Sequence, residues 1–188
     1  MSITSARDLI DGNLHLRRPV EADVEARLKL GNHAEIHEMF GGDVANMRPI
    51  TREQAEAWVA NQMAEPLAWV IAIDGRMVGG IRLHSLSMLD YRATLAVGLL
   101  DPGMLGQGVG SRAIRLVLGF AFGPLGLHRV SLRVLDVNER AIAAYEKVGF
   151  RVEGRERESA RLRDTWHDDL IMGVLAHEFA ELNGDLGA

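Results

Sequence analysis

The sequence predicts a single mixed α/β (α+β) domain: one mostly antiparallel sheet of about seven strands, with helices on both faces. The chain has 188 residues, of which 47% are hydrophobic, enough for one substantial core. Hairpin-like pairs of apolar runs occupy both ends of the pattern, whereas strands alternate with helical segments in the middle, as parallel strands require. Residues 1–12 and 180–188 lie outside this pattern, and we expect them to form flexible ends of one 1–188 domain.

The first half of the chain begins with a short alternating run that stops before Pro19. Helical spacing of apolar residues follows, and a glycine pair then interrupts it. Thr51 and Gln54 have the spacing of a capping box, in which a hydroxyl cap and a side-chain amide satisfy each other's backbone N–H groups. These features predict a strand over 14–17, a helix over 21–32, a turn at 40–43 and a helix over 51–63.

The second half changes to the strand period at residue 69, and Asp74-Gly75 is a typical hairpin turn. Residues 95–100 are apolar on both faces, which is typical of a central strand covered by helices. Asn138 is a good N-cap, and Gly149 suits the position after a helix end. The pattern predicts strands over 69–73, 77–86, 95–100, 130–135, 150–158 and 169–175, and helices over 108–122 and 138–147.

Composition excludes several classes of function. The net charge is −5, so the chain lacks the basic surface expected of a nucleic-acid-binding protein. It has no cysteine, which rules out disulfides, thiolate metal ligands and a thiol nucleophile. The pair His33 and His37 lacks an acid to complete a metal site, so we expect no metal. No apolar run could span a membrane and no leader pattern is present, so we expect a cytoplasmic protein that binds no membrane.

A glycine cluster at residues 105–111, Leu-Gly-Gln-Gly-Val-Gly-Ser, lies between an apolar strand and a helix. Helix N-termini carry unpaired amides and partial positive charge, and glycines let the backbone approach an anion, so this segment predicts a phosphate site. Arg112 and Arg115 in the same helix could add positive charge. A dinucleotide-binding motif fails because Ser111 stands where the last glycine is needed, and a P-loop fails because no Gly-Lys-Ser/Thr follows.

The combination of this loop with Asn-x-x-Ala-x-x-x-Tyr-x-Lys-x-Gly-Phe at 138–150 strongly resembles the GCN5-related N-acetyltransferases, most closely their RimJ/RimL-like branch. The resemblance implies that acetyl-CoA is the cosubstrate, that the loop amides hold its pyrophosphate, and that its pantetheine arm lies between splayed parallel strands at 95–100 and 130–135. It implies that Asn138 contacts the pantetheine and that Tyr145 is the general acid for the leaving thiolate. The residues expected to contact the cofactor are Leu99, Leu100, Leu105, Gly106, Gln107, Gly108, Val109, Gly110, Ser111, Arg112, Asn138, Ala141 and Tyr145.

The chain departs from the family where a glutamate on the central strand often serves as general base, because residues 94–97 are Thr-Leu-Ala-Val. His84 is the first candidate for a substitute base. Glu38, Asp43 and Asp168 are alternatives, and so is a relay of water molecules. Without a strong base, the site suits amines of low pKa: at pH 7 deprotonation costs about 4.6 kcal/mol for a lysine-like amine and about 1.4 kcal/mol for an α-amine.

The expected function is therefore transfer of an acetyl group from acetyl-CoA to a primary amine, either a small molecule or a protein N-terminus. We expect its pocket between the loop at 38–49 and the hairpin at 157–166. Dimers are common in families of this kind, so a homodimer is compatible with this expectation. Two alternatives remain: a non-catalytic acyl-CoA-binding sensor, and transfer of a larger acyl group such as succinyl, which needs a cation near the acyl pocket.

Overall fold

A computed structural model of the chain, which describes residues 5–183, contains one sheet of eight strands in the order β1-β2-β3-β4-β5-β6-β8-β7. The strands are β1 (Leu9–Asp11), β2 (Leu14–Arg17), β3 (Ala68–Ile73), β4 (Arg76–Ser87), β5 (Arg92–Leu99), β6 (Arg129–Leu135), β7 (Arg151–Leu162) and β8 (Thr165–Leu175). The helices are α1 (Asp23–Leu30), α2 (Ala34–Met39), α3 (Arg52–Ala64), α4 (Val109–Phe122), α5 (Glu139–Glu146) and α6 (Ala176–Asn183). The predicted fold class is confirmed.

The pairing of β5 with β6 is the parallel contact of this sheet, whereas the other described strand pairs are antiparallel. The two strands pair only where they begin, through Arg92 with Arg129, Ala93 with Val130 and Thr94 with Ser131. β5 continues to Leu99 and β6 to Leu135 without further pairing to each other, although each stays paired with its antiparallel neighbour, β4 or β8. The predicted splay of the two central strands is therefore present, and it leaves a gap in the middle of the sheet.

Helices cover both faces of the sheet. On one face, α4 buries Ala113, Ile114 and Val117 in the main core beside Leu95 and Val130. On the other face, α1 and α3 pack against each other in a smaller cluster. The predicted capping box begins α3: the Thr51 hydroxyl accepts a hydrogen bond from the Gln54 N–H, and the Gln54 amide oxygen accepts one from the Thr51 N–H. In the part of the chain that is described, no helix is long and apolar enough to cross a membrane.

Three elements correct the sequence analysis. Part of the N-terminal segment expected to be flexible is a strand, because β1 pairs with β2 from Leu9 to Asp11. Residues 180–183, also expected to be flexible, complete α6, whose Phe179 is buried against Phe122. Residues 34–39, to which the sequence analysis assigned no helix or strand, form the separate helix α2. The other residues of those two ends, 1–4 and 184–188, lie outside the described part.

Candidate active site

A cavity of about 640 Å³ fills the gap between β5 and β6. Its walls include Leu95 to Leu99 of β5, Arg133 to Leu135 of β6, the glycine loop before α4 and one face of α5. The glycine loop lies beyond the end of β5, whereas Thr94 and His84 lie where β5 and β6 still pair. The cavity therefore runs along the splayed strands, from a helix N-terminus to a titratable side chain.

The glycine loop has the geometry of an anion-binding turn. Gly106 and Gly108 have φ of 72° and 77°, a region that residues with a Cβ rarely adopt, and a Cβ at either position would meet no atom within 4 Å. Gly108 is the N-cap of α4 and receives no side-chain capping bond, so the first amides of the helix stay available to a ligand. Asp101 shapes the approach by accepting a hydrogen bond from the Gly103 N–H at 2.9 Å. Open space, flexible backbone and unpaired amides together fit the diphosphate of a coenzyme A nucleotide.

Most of the residues expected to contact the cofactor line this cavity. They are Leu99, Leu105, Gly106, Gly108, Gly110, Ser111, Asn138, Ala141 and Tyr145.

Four of the expected cofactor contacts point elsewhere. Leu100 lines a different, smaller cavity. Val109 is buried in the core, and the Gln107 side chain bonds to the Gly103 carbonyl, which leaves both residues only their backbone amides for a ligand. Arg112 forms an ion pair with Asp11 at 2.7 Å, so its charge faces β1 rather than the loop. Arg115, the other arginine considered, bonds to the Asn183 side chain.

Tyr145 lies on the buried side of α5 and lines the cavity with only 8% of its surface exposed. Its ring packs edge-on against Phe150 at a centroid distance of 5.9 Å, which fixes the direction of the phenol. Burial raises the pKa of Tyr145 to about 12, because the phenolate would be poorly solvated. Tyr145 is therefore a protonated hydrogen-bond donor at every pH of biological interest.

Asn138 caps α5 and lines the same cavity. Its side-chain oxygen accepts a hydrogen bond from the Ala141 N–H at 3.2 Å. Since the cap uses only the oxygen, the NH₂ group remains available as a donor toward a ligand. Gly149 follows the helix with a φ of 103°, as its predicted position requires.

His84 lines the cavity from the last regular position of β4 before an irregularity, where it pairs with Thr94 of β5. The pairing of β4 with β5 shifts register between His84 and Ser87, and Ser85 has a φ of 51°, so a bulge redirects the chain next to the histidine. The His84 Nδ1 lies 3.0 Å from the Ser85 hydroxyl. Burial lowers the pKa of His84, the charge of Arg82 lowers it further, and that of Glu65 opposes them. The imidazole is therefore mainly neutral at pH 7 and able to accept a proton.

The other three candidate bases lie in less suitable surroundings. Hydrogen bonds from the Asn46 side chain and the Ala45 N–H lower the pKa of Asp43, which makes it a weaker base. A hydrogen bond from Arg155 likewise lowers the pKa of Asp168. Neither carboxylate lines the cavity, and nor does Glu38. Among the residues considered, His84 alone combines a place in the cavity with a neutral, basic group.

Helix α2 and the residue after it cover one side of the cavity. Ile36, Met39 and Phe40 line it, and ion pairs hold α2 on two sides. Glu35 pairs with Arg140 of α5 at 2.7 Å, and Glu38 pairs with Arg163 at the tip of the β7–β8 hairpin at 2.9 Å. The pocket predicted between the segment at 38–49 and the hairpin at 157–166 is found only in part. Met39 and Phe40 line the cavity, whereas no residue of 157–166 lines either of the two cavities, and the hairpin meets the segment only through the Glu38–Arg163 pair. The sequence has no helical hydrophobic pattern over α2, because Ile36 is the one residue that this helix buries.

Four charged residues of the cavity lining were not predicted from the sequence: Arg133, Arg140, Lys147 and Asp169. Arg133 of β6 lines the cavity together with Asp169 of β8, and the two form an ion pair at 2.6 Å. Glu156 approaches the same guanidinium at 2.7 Å. Arg133 is therefore already neutralised by two carboxylates.

Comparison with known proteins identifies the family to which the chain belongs. Residues 13–151 match the acetyltransferase (GNAT) domain family, and the chain belongs to that family. The chain is 30% identical over 104 residues to a Bacillus subtilis protein named Probable N-acetyltransferase YjcK, covering 55% of this chain and 58% of that protein. It is 28% identical over 111 residues to the spermidine N(1)-acetyltransferase of Escherichia coli, covering 59% of each. The chain therefore matches about three fifths of the length of these relatives.

Among solved structures, the spermidine N-acetyltransferase of Vibrio cholerae in complex with CoA and spermine superposes with a TM-score of 0.75. The sequence identity is 20%, and the match covers 90% of this chain and 99% of the other. At this identity the match establishes a shared fold. The resemblance stated from the sequence is confirmed at the level of the family, whereas the RimJ/RimL-like branch stays a prediction.

Proposed function

We propose that the protein transfers an acetyl group from acetyl-CoA to the nitrogen of a primary amine. The observation that carries the proposal is the cavity between β5 and β6, which joins an anion-binding glycine loop to a buried phenol and a neutral imidazole. Family membership supports the same reaction class. The names of relatives such as spermidine N(1)-acetyltransferase support an amine acceptor.

The residues present suit coenzyme A. Backbone amides of the glycine loop and of the first turn of α4 would hold the diphosphate, with the helix dipole adding to the attraction. The Asn138 NH₂ group would donate to the pantetheine arm, for which the separated strands β5 and β6 leave unpaired backbone groups. When bound, acetyl-CoA supplies an acetyl thioester, whose C–S bond breaks as a C–N bond forms to the amine.

Two side chains interact with the groups that lose and gain a proton in this reaction. His84 accepts the proton that the amine loses on attack, and its lowered pKa favours the neutral form needed for this. Tyr145 donates a hydrogen bond to the leaving sulfur. Full proton transfer from a phenol of pKa about 12 to a thiolate of ordinary pKa, about 8.5, would cost about 4.8 kcal/mol. Tyr145 therefore stabilises the thiolate by hydrogen bonding, and the sulfur finally takes the proton that His84 received.

The acceptor class follows from the modest strength of this base. An imidazole cannot efficiently deprotonate an amine of pKa above 10, so the site favours α-amines and other amines of lowered pKa. Both a small molecule and a protein N-terminus satisfy this condition.

A two-part experiment tests the proposal. Thermal unfolding is measured with acetyl-CoA, desulfo-CoA and NAD, and ligand at 100 times its Kd should stabilise the protein by about 2.7 kcal/mol. We expect stabilisation by both CoA compounds and none by NAD. Free thiol is then followed with acetyl-CoA and a panel of amines. Absence of stabilisation at millimolar CoA would contradict the assignment of the cofactor site.

The same experiment separates the two alternative functions. A sensor would be stabilised by CoA but would release no thiol with any amine. Succinyl transfer would require a free cation beside the acyl group. Arg133 is neutralised by Asp169 and Glu156, and Arg140 pairs with Glu35, whereas Lys147 lines the cavity with no ion pair among residues 5–183. Family membership, rather than the charge of the cavity, therefore favours the acetyl group.

A further inference from the structure

A second, smaller cavity of about 300 Å³ adjoins the first on the face of the sheet covered by α3. The two cavities share Phe40 and residues 96–98 of β5 in their walls. Phe40 lies over Gly98, where a Cβ would come within 2.7 Å of the ring. We call this space the Arg82 pocket; its walls are formed by Phe40, Trp58, Gln62, Gly80, Ile81, Arg82, Ala96, Val97, Gly98 and Leu100.

Two polar side chains of the Arg82 pocket lack partners within residues 5–183. The side-chain oxygen of Gln62 is buried without a hydrogen bond, and only 7% of this residue is exposed. The Nε of Arg82 is also buried without a hydrogen-bond acceptor. Polar groups that are buried in this way normally have a partner, because an unmade hydrogen bond costs free energy. A polar group that enters the pocket from outside the chain would supply these missing partners.

The positive charge of the Arg82 pocket favours an anionic group as its ligand. Arg82 is the one charged residue among the described residues of the lining, and none of the described carboxylates forms an ion pair with it. A guanidinium offers a planar fork of N–H donors that matches a carboxylate. The Gln62 NH₂ group can donate to the same carboxylate, whereas its unpaired oxygen needs a donor, such as the peptide N–H of a dipeptide. A polyamine would instead bring positive charge to an unneutralised arginine.

The register of β4 places this pocket beside the reacting centre. Gly80, Arg82 and His84 alternate along one face of β4 and lie opposite Gly98, Ala96 and Thr94 of β5. Arg82 and His84 are two residues apart, so their Cα atoms are separated by about 7 Å. A molecule whose amine reaches His84 can therefore place a group about one dipeptide length away against Arg82.

We infer that the Arg82 pocket binds a carboxylate carried by the acceptor, which makes the acceptor a small amino-acid-like or dipeptide-sized amine. This inference rests on the proposed acetyl transfer and narrows its substrate class. Position favours the acceptor as the source of the carboxylate. The pocket lies on the α3 face, whereas the glycine loop and Tyr145 approach the gap from α4 and α5.

The test compares acceptors that differ only in charge. Glycylglycine and glycylglycinamide both carry an α-amine of pKa near 8, and only the first carries a carboxylate. With acetyl-CoA at pH 8, we expect kcat/KM for glycylglycine to exceed that for glycylglycinamide and for spermidine by at least about tenfold. Arg82→Gln should remove this preference by lowering only the glycylglycine value. Arg82→Lys, which keeps the charge and loses the fork, should retain part of it.

Controls make the result specific to the pocket. Arg92→Gln removes an arginine that lies outside both cavities and pairs with Asp90 on the surface, so the preference should be unchanged. The Kd for CoA should be equal in all variants. A preference for spermidine, or equal rates with both dipeptides before and after the Arg82 substitutions, would overturn the inference and would indicate that water alone fills the pocket.

Succinyl-CoA tests the other source of a carboxylate. With glycylglycinamide as acceptor, an Arg82→Gln variant that loses succinyl transfer while keeping acetyl transfer would overturn the assignment to the acceptor.

Calorimetric titration of the CoA-saturated protein with the two dipeptides separates the inference from the proposed function. An Arg82-dependent preference in binding, without thiol release from any amine, would refute acetyl transfer and support the pocket. Thiol release without an Arg82-dependent preference would support acetyl transfer and refute the binding of a carboxylate in the Arg82 pocket.

Discussion

The phenol of Tyr145 gives the sharpest prediction of this account. Tyr145→Phe removes one oxygen and keeps the ring packed against Phe150, so the free energy of unfolding should change by no more than about 1 kcal/mol. Because burial raises the pKa of Tyr145 to about 12, its role is a hydrogen bond to a developing thiolate. A hydrogen bond to a charged group contributes about 1.5–3 kcal/mol, which corresponds to a fall in kcat of about 10- to 150-fold.

The assay follows thiol release at saturating acetyl-CoA and amine, with KM and the Kd for desulfo-CoA measured beside it. Only kcat should fall, because the sulfur becomes charged after binding. The raised pKa adds a second expectation: in the wild-type protein, kcat should show no descending limb up to pH 10, where an ordinary tyrosine would be half ionised. A kcat within threefold of the wild type, or a tyrosine-dependent loss of rate near pH 10, would refute this reasoning.

Three further predictions concern the glycine loop, the candidate base His84 and the helix α2 that covers one side of the cavity. Gly108→Ala forces a residue with a side chain to adopt a φ of 77°, which costs about 1–2 kcal/mol, and it should weaken CoA binding about tenfold in calorimetry. Gly75→Ala is the control, since Gly75 has the same φ of 77° but lies in the β3–β4 turn. It should lower the Tm and leave the Kd for CoA unchanged. In the wild-type protein, kcat/KM should fall as the pH drops below 6.5, because His84, whose pKa is lowered in the folded protein, then takes up a proton. His84→Gln should remove this fall. If the fall persists in the variant, another group is the base. Glu38→Gln breaks a partly exposed ion pair with Arg163, so it should raise the KM for the acceptor up to about fivefold with little change in Tm. A raised Kd for CoA with an unchanged acceptor KM would contradict this, because it would mean that α2 contacts the cofactor rather than the acceptor.

The lowered pKa of His84 also affects stability. The unfolded chain binds a proton at this residue at a higher pH than the folded chain does, so stability is retained above pH 6.5 and falls as the pH drops toward the folded pKa. The same variant, His84→Gln, should reduce this part of the acid sensitivity of the Tm.

Much of the fold follows from local signals in the chain. The strand and helix periods, the Asp74-Gly75 turn and the Thr51 capping box have local physical causes, and the structure contains all of them. β1 and α2 were missed because they are short and bury few side chains. Leu9–Asp11 is held by its pairing with β2, and α2 by ion pairs to distant elements, which no local pattern reveals.

The candidate site was likewise predicted only in part. Backbone features such as the glycine loop and the Asn138 cap could be predicted from the sequence, because glycine and asparagine have strong local conformational preferences. Side-chain directions depend on neighbours that are remote in sequence. Arg112 was assigned to the phosphate loop because its partner Asp11 lies about 100 residues earlier, and the unpaired state of Arg82 becomes visible only when α3 lies over β4.

The most direct test of the central claim counts acetyl groups. The protein is incubated with acetyl-CoA and an α-amine, and the released thiol and the acetylated amine are quantified together by mass spectrometry. The account predicts one acetylated amine for each free thiol, with both slowed equally by Tyr145→Phe. Thiol that forms at the same rate without the amine, or CoA binding with neither product, would contradict it.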